Sequence, residues 1–145
     1  MESTLHPGLQ NSALVAAKTS PKANTLFYWI STAIFSLEMS FTAYYELLPQ
    51  GAQAFLRLGF PAGSFRMELS LAKLVGVAVL LIPIVPARLK EWAYAGFVIN
   101  LVSAVIAHLS ISDRPAALVP STTTSVLWGL SYYFWRRLQA RQANG

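Results

Sequence analysis

Four long apolar stretches, set apart by short polar breaks, fill most of the chain beyond its first two dozen residues. They run roughly from Leu26 to Leu48, Met67 to Val85, Trp92 to Ile111 and Pro115 to Trp135. Each holds about 19 to 23 residues, the length a helix needs to cross about 30 Å of hydrocarbon. Backbone amides in lipid must be paired within the segment, so the pattern predicts helices. The expected fold is all-α, a four-transmembrane-helix bundle. Between the first two spans, Pro49 to Arg66 carries Phe55, Leu56, Leu58, Phe60 and Phe65. That is too apolar for a solvated loop and predicts a short interfacial segment between helices 1 and 2, lying in the outer interface or dipping between the spans.

Local signals mark the ends. Pro49 and Gly51 close the first span, and Pro83 and Pro86 close the second. Glu91 suits the amino end of span three, and Arg136 and Arg137 the carboxyl end of span four, through the helix dipole. Pro120 falls inside span four, where it kinks the helix or frees a carbonyl. Ser121, Thr122, Thr123, Thr124 and Ser125 follow it directly; hydroxyl repair of the freed backbone is the simpler reading, and a polar lining for a ligand is the other. Residues 1–25 read as a flexible polar tail, 26–135 as the transmembrane domain and 136–145 as a basic carboxyl-terminal tail.

Positive charge orients the spans. With four crossings, both tails and the middle loop share one side, which holds Lys18, Lys22, Arg88, Lys90, Arg136, Arg137 and Arg141. The other side holds Arg57, Arg66 and Arg114. The split predicts both termini in the cytoplasm. Lys18 and Lys22 precede an apolar run too long for a cleaved signal core, which predicts an uncleaved anchor.

Composition narrows the classes further. Charged residues make up 12% of the 145, against about 25% in soluble domains, and mean hydropathy is +0.46. The net charge of +5 sits beside the apolar spans instead of on one soluble face, which argues against nucleic acid. The chain has no cysteine, which excludes disulfides, thiol redox chemistry and cysteine-ligated metals.

Ionisable residues inside a span are costly, by about 2.5–3.5 kcal/mol near the bilayer centre on insertion scales. Glu38 lies roughly 18 Å along span one and must face inward. Thr42 and Tyr45 follow at four and seven residues, on the same helical face. Such a face bonds a ligand or pairs with neighbouring helices, and the second reading is the simpler. Lys73 lies about six residues into span two, where it snorkels, pairs, or holds an anion. His108, near the outer end of span three, shares much of its face with Asn100 and Ser103. A hydrogen-bonded interfacial histidine is the simpler reading there, and a lone imidazole argues against a metal site. Glu38, Thr42, Tyr45, Lys73, Asn100 and His108 are the candidate lining of an outward polar pocket, with Glu46 in its outer half. Glu38 and Lys73 are its expected electrostatic partners.

Several blocks carry a resemblance. Leu58-Gly59-Phe60-Pro61, Ala72-Lys73-Leu74-Val75-Gly76, Leu80-Leu81-Ile82-Pro83 and Arg88 through Phe97 run in sequence, followed by Ala107-His108-Leu109 and Asp113. Over Leu26 to Trp135 the chain resembles the DoxX-like family of small bacterial membrane proteins. The resemblance implies a four-helix membrane fold in the bacterial cytoplasmic membrane. The family takes its name from a membrane subunit linked to a quinone-coupled complex, so a quinone or lipid ligand and a membrane redox partner are what it suggests. Asn100 and Ser103 stand where Asp and Gly are usual in that family, so no role for a span-three carboxylate carries over.

Three functions compete. A non-catalytic accessory subunit, or binder of a small lipophilic molecule, fits a pocketed bundle with no soluble domain. A membrane redox subunit or isomerase would use Glu38 as a base. A small transporter would need a homo-oligomer. The chain carries no glycine-rich nucleotide loop, nucleophile motif or metal-ligand spacing. No resident cofactor is evident, which favours the first function.

Overall fold

The computed structural model describes residues 21–143, and every regular element among them is helical. The helices are α1 (Pro21–Leu47), α2 (Pro49–Arg57), α3 (Ser64–Leu81), α4 (Ala87–Ser110) and α5 (Pro115–Ala143). The four long helices lie side by side. α1 packs on α5 and α3, and α4 packs on the same two, while α2 folds against α1. The expected tail before residue 26 lies mostly outside the described residues, but Pro21–Thr25 is already helical. The expected basic tail after Trp135 continues α5 as helix to Ala143.

Proline sets several boundaries. Leu48 precedes Pro49 and is extended, at ψ 160°, because the proline ring disfavours helical backbone in the residue before it. Ile82, before Pro83, is extended at ψ 116° for the same reason. That ends α3 at Leu81, four residues short of the predicted end of span two.

Two helices end in the same hydrogen-bonded turn. After α2, Phe60 N–H donates to Phe55 O at 2.9 Å and Gly59 N–H to Leu56 O at 3.1 Å. Gly59 has φ +81°, the left-handed conformation that this Schellman turn requires. The Phe55 and Phe60 rings, 6.0 Å apart, supply the apolar contact that commonly accompanies it. After α4, Asp113 N–H donates to His108 O and Ser112 N–H to Leu109 O, both at 3.1 Å. Here Ser112 occupies the left-handed position, at φ 50°.

Hydroxyls line α5 past Pro120 as predicted, but they bond elsewhere. The ring lacks an N–H, which leaves the carbonyl of Ala116 without its usual helical donor. Thr122, Thr124 and Ser125 instead donate to Leu118, Pro120 and Ser121. They bond the carbonyls one turn back along their own helix and do not mend the one that proline frees.

The polarity of α1 is inverted relative to a helix of a water-soluble protein. Its inner face buries Asn24, Tyr28, Thr32, Phe35, Ser36, Met39 and Ala43 at helical spacing. Its outer face exposes Leu26, Phe27, Ile30, Ile34, Leu37 and Phe41, with Leu37 at 73%. Inside, Ser131 of α5 bonds both Thr32 of α1 and Tyr94 of α4 at 2.7 Å. Tyr28, Phe35, Met39, Val77, Leu80, Tyr94, Phe97, Leu101 and Trp135 form the apolar core around this link.

Among the described residues, α4 is the one helix both long and apolar enough to cross a membrane. Only 22% of its most apolar stretch is buried, unlike the core helix of a soluble domain. The other three long helices are diluted by polar residues. α1 carries Glu38 and several hydroxyls, α3 has Arg66, Glu68 and Lys73 within 18 residues, and α5 carries Pro120 and its hydroxyl run.

Candidate functional site

The break between α1 and α2 strands carbonyls at the end of α1, and α3 supplies the groups that meet them. Arg66, Ser70 and Lys73 stand at i, i+4 and i+7, which puts them on one face of α3. Arg66 donates to the carbonyl of Glu46, to Leu48 O at 3.4 Å and to Ala62 O at 3.0 Å. It closes the carboxyl end of α1, where a cation also suits the helix dipole. The Glu46 carboxylate binds Lys73 Nζ through Oε1 and accepts from Ser70 Oγ at 3.1 Å through Oε2. The side chains of the ion pair are 7% and 13% exposed, so little solvent screens it.

Glu46 and Lys73 of this cluster stand in the wall of a cavity of about 270 Å³. Phe65, Leu69 and Lys73 line it from α3, and Gly96, Ile99, Asn100, Ser103 and Ala104 from α4. Phe55, Leu58 and Phe60 roof it from α2 and its Schellman turn. The Leu58–Gly59–Phe60 block thereby shapes the cavity, because Gly59 turns the chain so that Phe60 faces it. A second hollow of about 340 Å³ shares Leu69, Lys73, Gly96 and Asn100 and extends past Trp92 and Leu89. Together they make a groove along the α3–α4 seam. Gly96 keeps it open, since a Cβ built there meets nothing within 4 Å. The surfaces are mostly apolar, with one ion pair, one amide and one hydroxyl, the composition of a site that orients a largely hydrophobic ligand.

The six residues expected to share a pocket are distributed. Lys73 and Asn100 line the cavity. Glu38 sits elsewhere and meets Thr124 of α5, whose Oγ1 lies 2.5 Å from Glu38 Oε1. The expected Glu38–Lys73 pair is not formed. Glu46 lies eight residues beyond Glu38, two helical turns nearer α2, at the level where α3 presents Lys73. Thr42 donates to its own helix, at Met39 O. Tyr45 is 42% exposed. His108 bonds Asp113 at 2.9 Å instead of turning to the cavity.

A family model for the DoxX-like family matches residues 30–130. The chain belongs to the DoxX-like family. No curated protein and no solved structure matches it. The matched segment of this DoxX-like protein holds the whole groove, the Glu46–Lys73 pair and the one helix among the described residues that is long and apolar enough to cross a membrane.

Ser70, Arg66 and Asp113 are the polar partners that periodicity missed. The first two had a signal in their helical register with Lys73. Asp113 had one in its position five residues after His108, at the end of a span. No group of three or more potential metal ligands occurs among the described residues.

Proposed function

We propose that this DoxX-like protein is a multi-pass protein of the bacterial cytoplasmic membrane that binds a small lipophilic molecule in its α3–α4 groove. It acts as a binder or accessory subunit and not as an enzyme. The observation that carries the reading is a buried Glu46–Lys73 pair set in the wall of an otherwise apolar cavity. A buried ion pair is a poor source of stability, because desolvation offsets much of its attraction. At a cavity wall it supplies what a purely apolar slot lacks, a directional donor. Lys73 has three N–H groups, and the Asn100 amide and Ser103 hydroxyl stand opposite on α4. A flat or chain-like molecule with a carbonyl oxygen, such as a quinone, suits that set.

The four-crossing arrangement is supported by the exposed apolar faces. Leu71 and Val75 on α3, Ile99 and Ile106 on α4, and Val119 and Val126 on α5 are all more than half exposed. Patches that continuous are rare on soluble monomers and suit lipid. Four crossings would leave both termini on one side, the side that the positive-charge bias assigns to the cytoplasm. A redox partner and a homo-oligomer fit the same reading, since lipid-exposed helices pack readily on others. Glu38, the base that an enzymatic reading requires, does not line this cavity and is engaged by Thr124.

Native mass spectrometry of the detergent-purified protein tests the proposal. The expected result is a retained small molecule in the wild type and its loss in Gly96→Leu. The leucine side chain enters the groove without a backbone clash, and replacing a mid-helix glycine gains about 0.5–1 kcal/mol of helix preference. A folded Gly96→Leu variant that holds the same molecule equally well overturns the assignment.

A further inference from the structure

A second cavity, of about 420 Å³, lies at the other end of the molecule, between the start of α1, the α3–α4 connection and the end of α5. It is lined by Tyr28, Trp29, Lys90, Trp135, Gln139 and Gln142, among others. Two of these side chains are more than nine-tenths buried and under-bonded. Lys90 is 6% exposed and donates once, to Leu80 O at 3.2 Å, and no carboxylate among the described residues pairs with it. Its neighbour Glu91 is taken by Arg136. Tyr28 is 4% exposed and its hydroxyl makes no hydrogen bond of ordinary geometry, with only a weak contact to Thr32. One turn earlier on the same face, the wholly buried Asn24 amide is also unpartnered.

A buried ammonium without an anion is expensive, and so is each buried hydroxyl or amide left unbonded. Such groups persist where something else completes them. The donors on offer are a point-charge ammonium and a phenol, with two glutamine amides beside them, and that set suits an oxyanion. We propose that this cavity is a second binding site, independent of the α3–α4 groove, for a phosphate oxyanion. The anion comes either as the headgroup of an anionic lipid or as free phosphate. Lys90 holds the charge and Tyr28 gives a second hydrogen bond. Trp29, partly exposed at the rim, suits a headgroup at the bilayer interface. Arg88, exposed next to the lining Ala87, adds positive charge at the same end.

The test uses the full chain in a neutral detergent. It is titrated with dihexanoyl phosphatidylglycerol, with dihexanoyl phosphatidylcholine, and with inorganic phosphate, and followed by tryptophan fluorescence and native mass spectrometry. Saturable binding of phosphatidylglycerol in preference to phosphatidylcholine identifies a lipid headgroup. Saturable binding of inorganic phosphate with no preference between the lipids identifies the free anion. In either case Lys90→Met abolishes binding. Because Lys90 also bonds the end of α3, Tyr28→Phe provides the cleaner variant. It removes a hydroxyl that makes at most a weak contact with Thr32 in the unliganded fold and keeps the buried ring, so the fold is retained, while affinity falls about tenfold or more. Failure of all three ligands to bind overturns the site, as does wild-type affinity in a folded Tyr28→Phe protein. Gly96→Leu, which fills the other groove, leaves this binding unchanged. The two sites therefore stand or fall separately.

Discussion

Asp113 accepts a hydrogen bond from His108 Nδ1 at 2.9 Å across the turn that ends α4. The same carboxylate accepts from Arg57 Nη2, at the end of α2, at 2.6 Å. A residue at the close of one Schellman turn thus ties together the ends of two helices that both stop in that way. The His108 contact holds the Asp113 carboxyl below its ordinary 3.8, helped by the Arg114 amide and the Arg57 charge. A carboxyl with a depressed folded-state value adds stability that is fully present above the unfolded value. That stability drains away as pH falls through the lower, folded one. The wild type should therefore lose thermal stability below pH 3.8 faster than Asp113→Asn. Thermal melts in detergent across that range check it, and identical acid limbs would remove Asp113 from this role.

The Glu46–Lys73 pair should behave as a coupled unit. Lys73→Met leaves the largely buried Glu46 carboxylate with Ser70 alone and should destabilise by about 1–3 kcal/mol. Glu46→Gln together with Lys73→Met should cost markedly less than the two single changes added, which is the signature of direct contact. Glu38→Gln in the Lys73→Met background should be additive, because Thr124 and not Lys73 bonds Glu38. A double-mutant cycle that finds coupling at Glu38 and none at Glu46 would reverse the pairing.

Gly59 and Ser112 hold equivalent positions in the two Schellman turns, yet only one of them is glycine. Opposite substitutions should therefore have opposite signs. Gly59→Ala places a Cβ on a left-handed backbone and should destabilise by about 1–2 kcal/mol. Ser112→Gly relieves that strain and should stabilise by up to about 1 kcal/mol. Denaturation of both variants in one detergent measures the pair. Gly51 offers a harsher contrast, since a Cβ there would lie 2.4 Å from Tyr45 O, where α2 packs against α1. Gly51→Ala must displace the helix that roofs the cavity.

Helix content and order are legible in the sequence because they depend on runs of apolar residues and on proline. Pro49, Pro83, Pro86 and Pro115 each fall at or beside a helix boundary, and the first half of the apolar segment after Pro49 is a short helix, α2, while Leu58 and Phe60 fall in its closing turn and Phe65 in α3. Partner choice among polar residues is not legible. Whether Lys73 meets Glu38 or Glu46 depends on the axial offset between α1 and α3, which no periodicity within one helix encodes. Burial on α1 is half legible. Spacing points to the face through Glu38, Thr42 and Tyr45, yet the buried face runs through Phe35, Met39 and Ala43, with Tyr45 turned outward. Helical register shows which residues travel together and leaves open which way they face when both faces are apolar. The second cavity has no sequence signal of its own, because Lys90 reads as an orienting charge and only its burial separates it from Arg88.

The chain contains no cysteine, so single cysteines report topology without a prior change of background. Ala87, at the start of α4, and Gln142, near the end of α5, should lie on the cytoplasmic side, and Ser112 on the opposite side. All three are exposed in the structure, and opening the membrane distinguishes protection by lipid from any other cover. In intact cells a membrane-impermeant maleimide should modify Ser112→Cys and spare Ala87→Cys and Gln142→Cys until the membrane is opened. The outcome separates three arrangements. Labelling at Ser112 alone supports four crossings with both termini inside. Labelling at Ala87 and Gln142 alone keeps the crossings and inverts them, against the charge bias of Arg88, Arg136, Arg137 and Arg141. Equal labelling of Ala87 and Ser112, the two ends of α4, would mean that even the helix best fitted to cross does not, and the lipid-facing reading of Leu37, Ile99 and Ile106 would fail with it.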